Sequence, residues 1–119
     1  MDTNIKILLA DDSAFMRKVL KDILVGMGFG SFVEAENGVE ALAKYAEEKP
    51  GLLLLDIIMP EKDGMEVLKE IGKTAKIVVV SAIGQDSMIE EAKGLGALDY
   101  ITKPFDKKNV EEVLGKVLA

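Results

Sequence analysis

The chain contains neither cysteine nor histidine. Without cysteine there is no disulfide framework and no thiol chemistry. Without histidine the usual general base, the commonest zinc ligand and any histidine phosphoryl carrier are missing from this chain. Basic charge is in deficit: 15 Lys and Arg face 21 Asp and Glu, a net charge of −6, which argues against nonspecific nucleic-acid binding. No run approaches a membrane span, and the apolar stretch before Asp11-Asp12 is too short and too acidic for a signal peptide, so a cytoplasmic protein is expected. No low-complexity stretch marks a linker. The 119 residues have the length of one domain, expected to run from 1 to 119 with no output domain attached.

What is present is an alternation of apolar runs and amphipathic stretches. The run Leu52 to Ile58 is aliphatic except for Asp56, and Pro50-Gly51 and Met59-Pro60 bound it. Such a run suits a strand buried on both faces. Similar strands are expected at Ile5 to Ala10, Ser31 to Ala35, Lys76 to Ser81 and Leu98 to Thr102. Between them lie helical patterns. Ser13 caps the first, with Phe15, Met16, Val19, Leu20, Ile23 and Leu24 as its apolar positions. Asn37-Gly38 opens the second, with Val39, Leu42 and Ala46 inward; Met65, Val67, Leu68 and Ile71 mark the third. Asp86 or Ser87 starts the fourth, and Asp106 caps a fifth carrying Val110, Val113, Leu114, Val117 and Leu118.

Five strands alternating with five helices predict an α/β fold: a doubly wound five-stranded parallel sheet, flavodoxin-like, flanked by helices. The preferred strand order is 2-1-3-4-5, which makes strands one and three neighbours at the topological switch point. Their ends carry Asp11-Asp12 and Asp56, so three carboxylates should share one crevice. Each alone would be a turn or helix cap. Together they call for a cation, because like charges a few ångströms apart cannot all stay ionised unaided. An all-oxygen ligand set favours Mg²⁺ and disfavours zinc. Ser81 ends the fourth strand with a hydroxyl and Lys103 ends the fifth with an ammonium suited to phosphate. Acids, hydroxyl and lysine at four strand ends make a site for phosphoryl transfer, in which a carboxylate can itself be the nucleophile.

These residues resemble the receiver domain of two-component response regulators, most closely the stand-alone chemotaxis (CheY-like) type. The resemblance spans essentially the whole chain and rests on Leu8-Leu9-Ala10-Asp11-Asp12-Ser13, on Leu55 through Gly64, on Val80-Ser81-Ala82 and on Lys103-Pro104-Phe105. It implies that Asp56 accepts a phosphoryl group from a histidine kinase. It implies Mg²⁺ held by Asp12 and Asp56, by Asp11 through water and by the Ile58 carbonyl. It further implies Lys103 and Ser81 on the phosphate, a cis Lys103-Pro104 peptide, and Tyr100 as a rotamer switch coupled to Ser81. The implied partner surface, from helix four, strand five and helix five, offers Met88, Lys93, Tyr100, Lys107 and Lys108. Output would come from a monomer binding a motor or adaptor protein, without nucleic acid or membrane.

Two positions depart from relatives that carry polar groups there: Ile58, two past Asp56, and Ile83, two past Ser81. Neither can orient a hydrolytic water, so dephosphorylation is expected to run without help from side chains at these positions. Ile58 also stands where aspartyl-phosphate phosphohydrolases keep a second carboxylate, which weakens that alternative. A phosphorelay intermediate or phosphate sink is compatible with the same residues. A flavodoxin-like cofactor binder is not favoured, since Asp11-Asp12 would repel a phosphate lacking a metal.

Overall fold

Short aliphatic runs form the strands, and a helix follows each. In the computed structural model, which describes residues 1–119, the strands are β1 (Lys6–Ala10), β2 (Ser31–Ala35), β3 (Leu52–Leu55), β4 (Ile77–Ser81) and β5 (Asp99–Thr102). The helices are α1 (Ala14–Gly26), α2 (Gly38–Glu48), α3 (Gly64–Ile71), α4 (Asp86–Gly94) and α5 (Lys107–Val117). All pairings are parallel, in the order β2-β1-β3-β4-β5 that the alternation predicts. No helix is long and apolar enough to cross a membrane.

The period-two alternation of strand side chains splits the core between the sheet's faces. Leu8, Ala10, Leu53, Leu55, Ile77 and Val79 point to one face, against Ala41 of α2, Met65, Val67 and Leu68 of α3, and Ala92 of α4. Ile7, Leu9, Leu52, Leu54, Val78, Val80 and Ile101 point to the other, against Leu20 and Leu24 of α1 and Val110 and Leu114 of α5. Each fully buried leucine contributes about 1.5–3 kcal/mol of transfer free energy, so these strands are held rigidly. Polar side chains fix where the helices begin. Ser13 accepts from the Met16 N–H, Asn37 from that of Glu40, and Asp63 and Asp106 form reciprocal capping boxes with Glu66 and Asn109. Helix α4 starts at Asp86 with no side-chain cap.

Several expectations are corrected. Ile5, Lys76 and Leu98 lie outside the strands. The third strand stops at Leu55: after the Asp56 N–H bonds the Ala10 carbonyl, the chain leaves the sheet, Ile57 stays buried, and Ile58 turns outward, 57% exposed. On α1, Phe15 is 73% exposed and Arg17 is buried with Leu20 and Leu24. An arginine occupies that inward position because its guanidinium finds partners at the sheet edge. On α2, Val39 and Ala46 are exposed, whereas Gly38 and Ala41 are buried. Gly38 is pressed so closely on the β3–α3 loop that a Cβ there would lie 2.0 Å from the Lys62 carbonyl oxygen. Gly64 is equally constrained, since a Cβ would lie 2.3 Å from the carbonyl oxygen of Asp56. The loop beyond Asp56 is thus packed from both sides through glycines.

Candidate functional site

Strand register alone brings the acids together. Ala10 pairs with Leu55, so Asp11 and Asp56 leave neighbouring strands side by side. Ser81 pairs with Thr102, and the next residue, Lys103, donates its backbone N–H to the Ser81 carbonyl at 2.8 Å. Four strand ends therefore deliver Asp11, Asp12, Asp56, Ser81 and Lys103 to one edge, as expected. Carboxylate oxygens of Asp11, Asp12 and Asp56 all lie within 4.8 Å of one another.

Lys103 bridges two of the acids. Its ammonium donates to Asp11 Oδ2 at 2.8 Å and to Asp56 Oδ2 at 2.9 Å, with its side chain only 15% exposed. The other oxygens of these carboxylates accept backbone N–H groups, from Ser13 for Asp11 (2.9 Å) and from Ile58 for Asp56 (3.2 Å). Asp12 is exposed and takes part in no hydrogen bond or ion pair. Burial pushes the Asp11 carboxyl above its ordinary range; Lys103 and the Ser13 N–H pull against this, and the charge of Asp56 adds to it. Burial alone would lower the Lys103 ammonium, but hydrogen bonds to Asp11 and Asp56, with the charges of both, carry it above its usual value.

The donor set fits a hard divalent cation. Three carboxylates converge with a single ammonium between them, and no nitrogen or sulfur ligand belongs to the group. Asp12 has its full acceptor capacity free, and the Ile58 carbonyl accepts no backbone hydrogen bond. Residues of this kind hold Mg²⁺ through a few oxygens and leave water in the remaining positions.

Ser81 is fully buried and accepts the Ile83 N–H at 3.3 Å; it is not bonded to the acids. Tyr100 is half-buried and donates its phenol proton to the Ile83 carbonyl, in the loop that follows Ser81. Burial raises the Tyr100 phenol above its ordinary value, the Ser81 hydroxyl partly offsets this, and the Asp56 charge adds to the rise. Tyr100 therefore sits in electrical reach of Asp56 and in contact with the intervening loop. The Lys103-Pro104 peptide is cis, as the resemblance implies.

The proposed surface residues are less closely gathered. Met88 and Tyr100 pack against the same core face. Lys93 is 3.8 Å from Asp99, while Lys107 and Lys108 lie on the first turn of α5, 3.9 Å from Glu111 and 4.0 Å from Glu112.

One residue beside the site was missed from sequence. Arg17 donates to the Asp11 backbone carbonyl at 2.6 Å and to Glu34 at 2.7 Å, and stands 3.7 Å from Glu36. The available signal was an arginine at i, i+3, i+7 spacing with Leu20 and Leu24, an inward position that an apolar reading of the helix skips.

Comparison with known proteins agrees with this geometry. The family model of the response regulator receiver domain matches residues 7–115. The chain is similar to the chemotaxis protein CheY of Bacillus subtilis, 49% identical over 116 residues, covering 95% of this chain and 97% of that protein. It is also similar to CheY of Thermotoga maritima, 49% identical over 115 residues, covering 94% of this chain and 96% of that one. Among solved structures it superposes, with a TM-score of 0.92 and 32% identity, on a chain of the CheX-CheY-BeF3-Mg²⁺ complex from Borrelia burgdorferi, covering 97% of this chain and 90% of that one. With the acidic cluster, the bridging lysine and the buried serine all at the edge where those strands end, the chain belongs to the response regulator receiver domain family.

Proposed function

We propose that this protein is a phosphorylation-driven switch of a two-component system, acting in the control of chemotaxis or motility. The observation that carries it is Lys103 bridging Asp11 and Asp56 within the three-carboxylate group. Asp56 is the nucleophile. One of its oxygens forms a bond to the phosphorus of a kinase phosphohistidine as the P–N bond breaks, and the departing imidazole keeps the electron pair and regains a proton from solvent. Rigid strands hold Asp56 in place, so little reorganisation is needed to reach the in-line geometry. Lys103 is already paired with the reacting carboxylate and neutralises negative charge on the incoming phosphoryl oxygens. Asp12 and Asp56, with Asp11 and the Ile58 carbonyl, would hold Mg²⁺. When bound, the cation neutralises charge on the transferring group.

The response to phosphate runs through Ser81. A phosphoryl group on Asp56 offers the Ser81 hydroxyl proton a new acceptor, and as the hydroxyl turns toward it the Ile83 N–H that the same oxygen accepts is drawn along. Ile83 is also the partner of Tyr100, so a shift of that loop alters the Tyr100 ring and the α4–β5–α5 surface. Phosphate acts only through its different affinity for the two arrangements. Met88, Lys93, Tyr100, Lys107 and Lys108 are the proposed contacts for an output protein of the motor or adaptor kind. The chemotaxis assignment is supported by relatives bearing that name at 49% identity. The Mg²⁺ assignment is supported by the related complex that holds beryllofluoride and Mg²⁺. Ile58 supplies no carboxylate for turnover of a small phosphoester, which favours a switch over a hydrolase.

The test is phosphorylation by acetyl phosphate with Mg²⁺, read by intact mass and peptide mapping. One phosphoryl group on Asp56 is expected, and Asp56→Asn should abolish uptake. Label at an unchanged rate in Asp56→Asn, mapped elsewhere, overturns the assignment.

A further inference from the structure

Asp11 and Asp12 are adjacent in sequence but held very differently. Asp11 is fixed at four points: its N–H by the Ala35 carbonyl (3.1 Å), its carbonyl by Arg17 (2.6 Å), and its two carboxylate oxygens by the Ser13 N–H and Lys103. Asp12 makes no hydrogen bond at all, so its place depends on the peptide that joins it to Asp11. The carbonyl oxygen of that same peptide is the one Arg17 grips.

Arg17 is well suited to the task. Its side chain is 9% exposed, and its planar guanidinium divides between two jobs. One terminal nitrogen binds the Asp11 carbonyl, while Nε donates to Glu34 at the end of β2, with Glu36 within 3.7 Å. Glu34 anchors the guanidinium to the sheet edge, and the guanidinium in turn anchors the peptide. A carbonyl held in this way cannot rotate toward a cation in the crevice, which leaves the Asp12 carboxylate to face it.

We propose that Arg17 is a positioning residue for divalent-cation binding, acting on Asp12 through the Asp11–Asp12 peptide. The inference rests on the cation-binding reading of the acidic cluster. Partners one step removed from a metal typically change affinity by about 10–100-fold when lost, because they set the direction of the ligand that touches it.

The experiment is a Mg²⁺ titration by calorimetry on the full chain, without phosphodonor, for the wild type, Asp12→Ala, Arg17→Met, Arg17→Lys and Glu34→Gln. Arg17→Met should weaken Mg²⁺ binding by about tenfold. Arg17→Lys keeps the charge but not the planar fork, and should weaken binding by about threefold or more. Glu34→Gln loses the ion pair but keeps an amide oxygen to accept the Arg17 Nε–H, so the guanidinium stays on the carbonyl and binding should stay within about twofold of wild type. Far-ultraviolet circular dichroism identifies any variant that fails to fold, and Arg17→Lys carries the test if Arg17→Met does. Wild-type affinity in a folded Arg17 variant overturns the proposal. An equal loss in Glu34→Gln and Arg17→Met also overturns it, since that pattern marks general support of the sheet edge. Undiminished binding in Asp12→Ala, or none in the wild type, instead removes the cation reading on which the proposal rests.

Discussion

Two isoleucines set the expected lifetime of the phosphorylated state. Ile58 is exposed at the mouth of the site and Ile83 is half-buried beside Ser81, and neither side chain can accept or donate a proton. Water reaching a phosphoryl group on Asp56 would find no side chain at these positions to orient it. An Ile58→Asn, Ile83→Glu double variant should shorten the phosphate half-life by about tenfold or more, less than the roughly 100-fold that a well-positioned general acid or base contributes. The check is the decay of phosphorylated protein after the phosphodonor is removed; an unchanged half-life overturns the argument. The acids and the lysine were legible in the sequence because they follow apolar runs that a parallel sheet brings to one edge; singly, each would have read as a cap or a solvated charge. Arg17 was not legible, because its role depends on a carbonyl six residues away and on a glutamate of another strand. Local periodicity carries no information about either.

At the scale of elements, α4, β5 and α5 are tied at the end of β5 remote from Lys103. Asp99 begins β5, accepts the Tyr100 N–H at 2.8 Å and binds Lys116 of α5 at 2.9 Å, with Lys93 of α4 at 3.8 Å. Burial pushes the Asp99 carboxyl up, but Lys116, the Tyr100 N–H and the charge of Lys93 outweigh it and hold the group below its ordinary 3.8. A carboxyl depressed on folding stabilises the native state above its unfolded value, and that contribution is lost as pH falls through the folded one. Asp99→Asn should therefore cost roughly 1 kcal/mol near neutral pH, and the gap to wild type should close below about pH 4. Urea unfolding at a series of pH values measures it, and a gap that persists undiminished into acid counts against the clamp. The same elements show where sequence reading stops. Strands were found to within a residue or so, apart from β3. Helical faces were less secure: Val39 and Phe15 are apolar residues at plausible spacings that face solvent. Apolar spacing alone could not say which side of α1 the sheet would cover once Arg17 had claimed the inward position.

For the molecule as a whole, the switch-point arrangement places repulsion where the strands are most rigid. Three carboxylates within 4.8 Å, relieved by one lysine, oppose folding unless a cation shares the site. Mg²⁺ at about 100 times its dissociation constant should add about 2.7 kcal/mol of stability. For a chain of this size that corresponds to a rise in Tm of roughly 10 °C. Thermal melts with and without Mg²⁺ measure the shift, and Asp12→Ala should lose most of it. A shift fully retained in Asp12→Ala would locate the cation elsewhere. The global fold was more legible than any single site contact, because five apolar runs separated by helical stretches leave few arrangements open. The strand order 2-1-3-4-5 was a preference among the doubly wound orders, which all cover both faces of the sheet, and the structure has that order.

The bond from Tyr100 to the Ile83 carbonyl also gives the protein a built-in optical reporter. There is no tryptophan, and the chain has only two tyrosines. Tyr45 lies on α2, packed against the core, whereas the Tyr100 phenol touches the loop after Ser81 and senses the charge at Asp56. Excited to the red of the phenylalanine absorption band, the chain's ultraviolet emission arises from those two rings. With Tyr45 replaced by phenylalanine, the emission excited in that band would come from the ring beside the acidic crevice. Occupancy of that crevice could then be followed in real time with no dye attached.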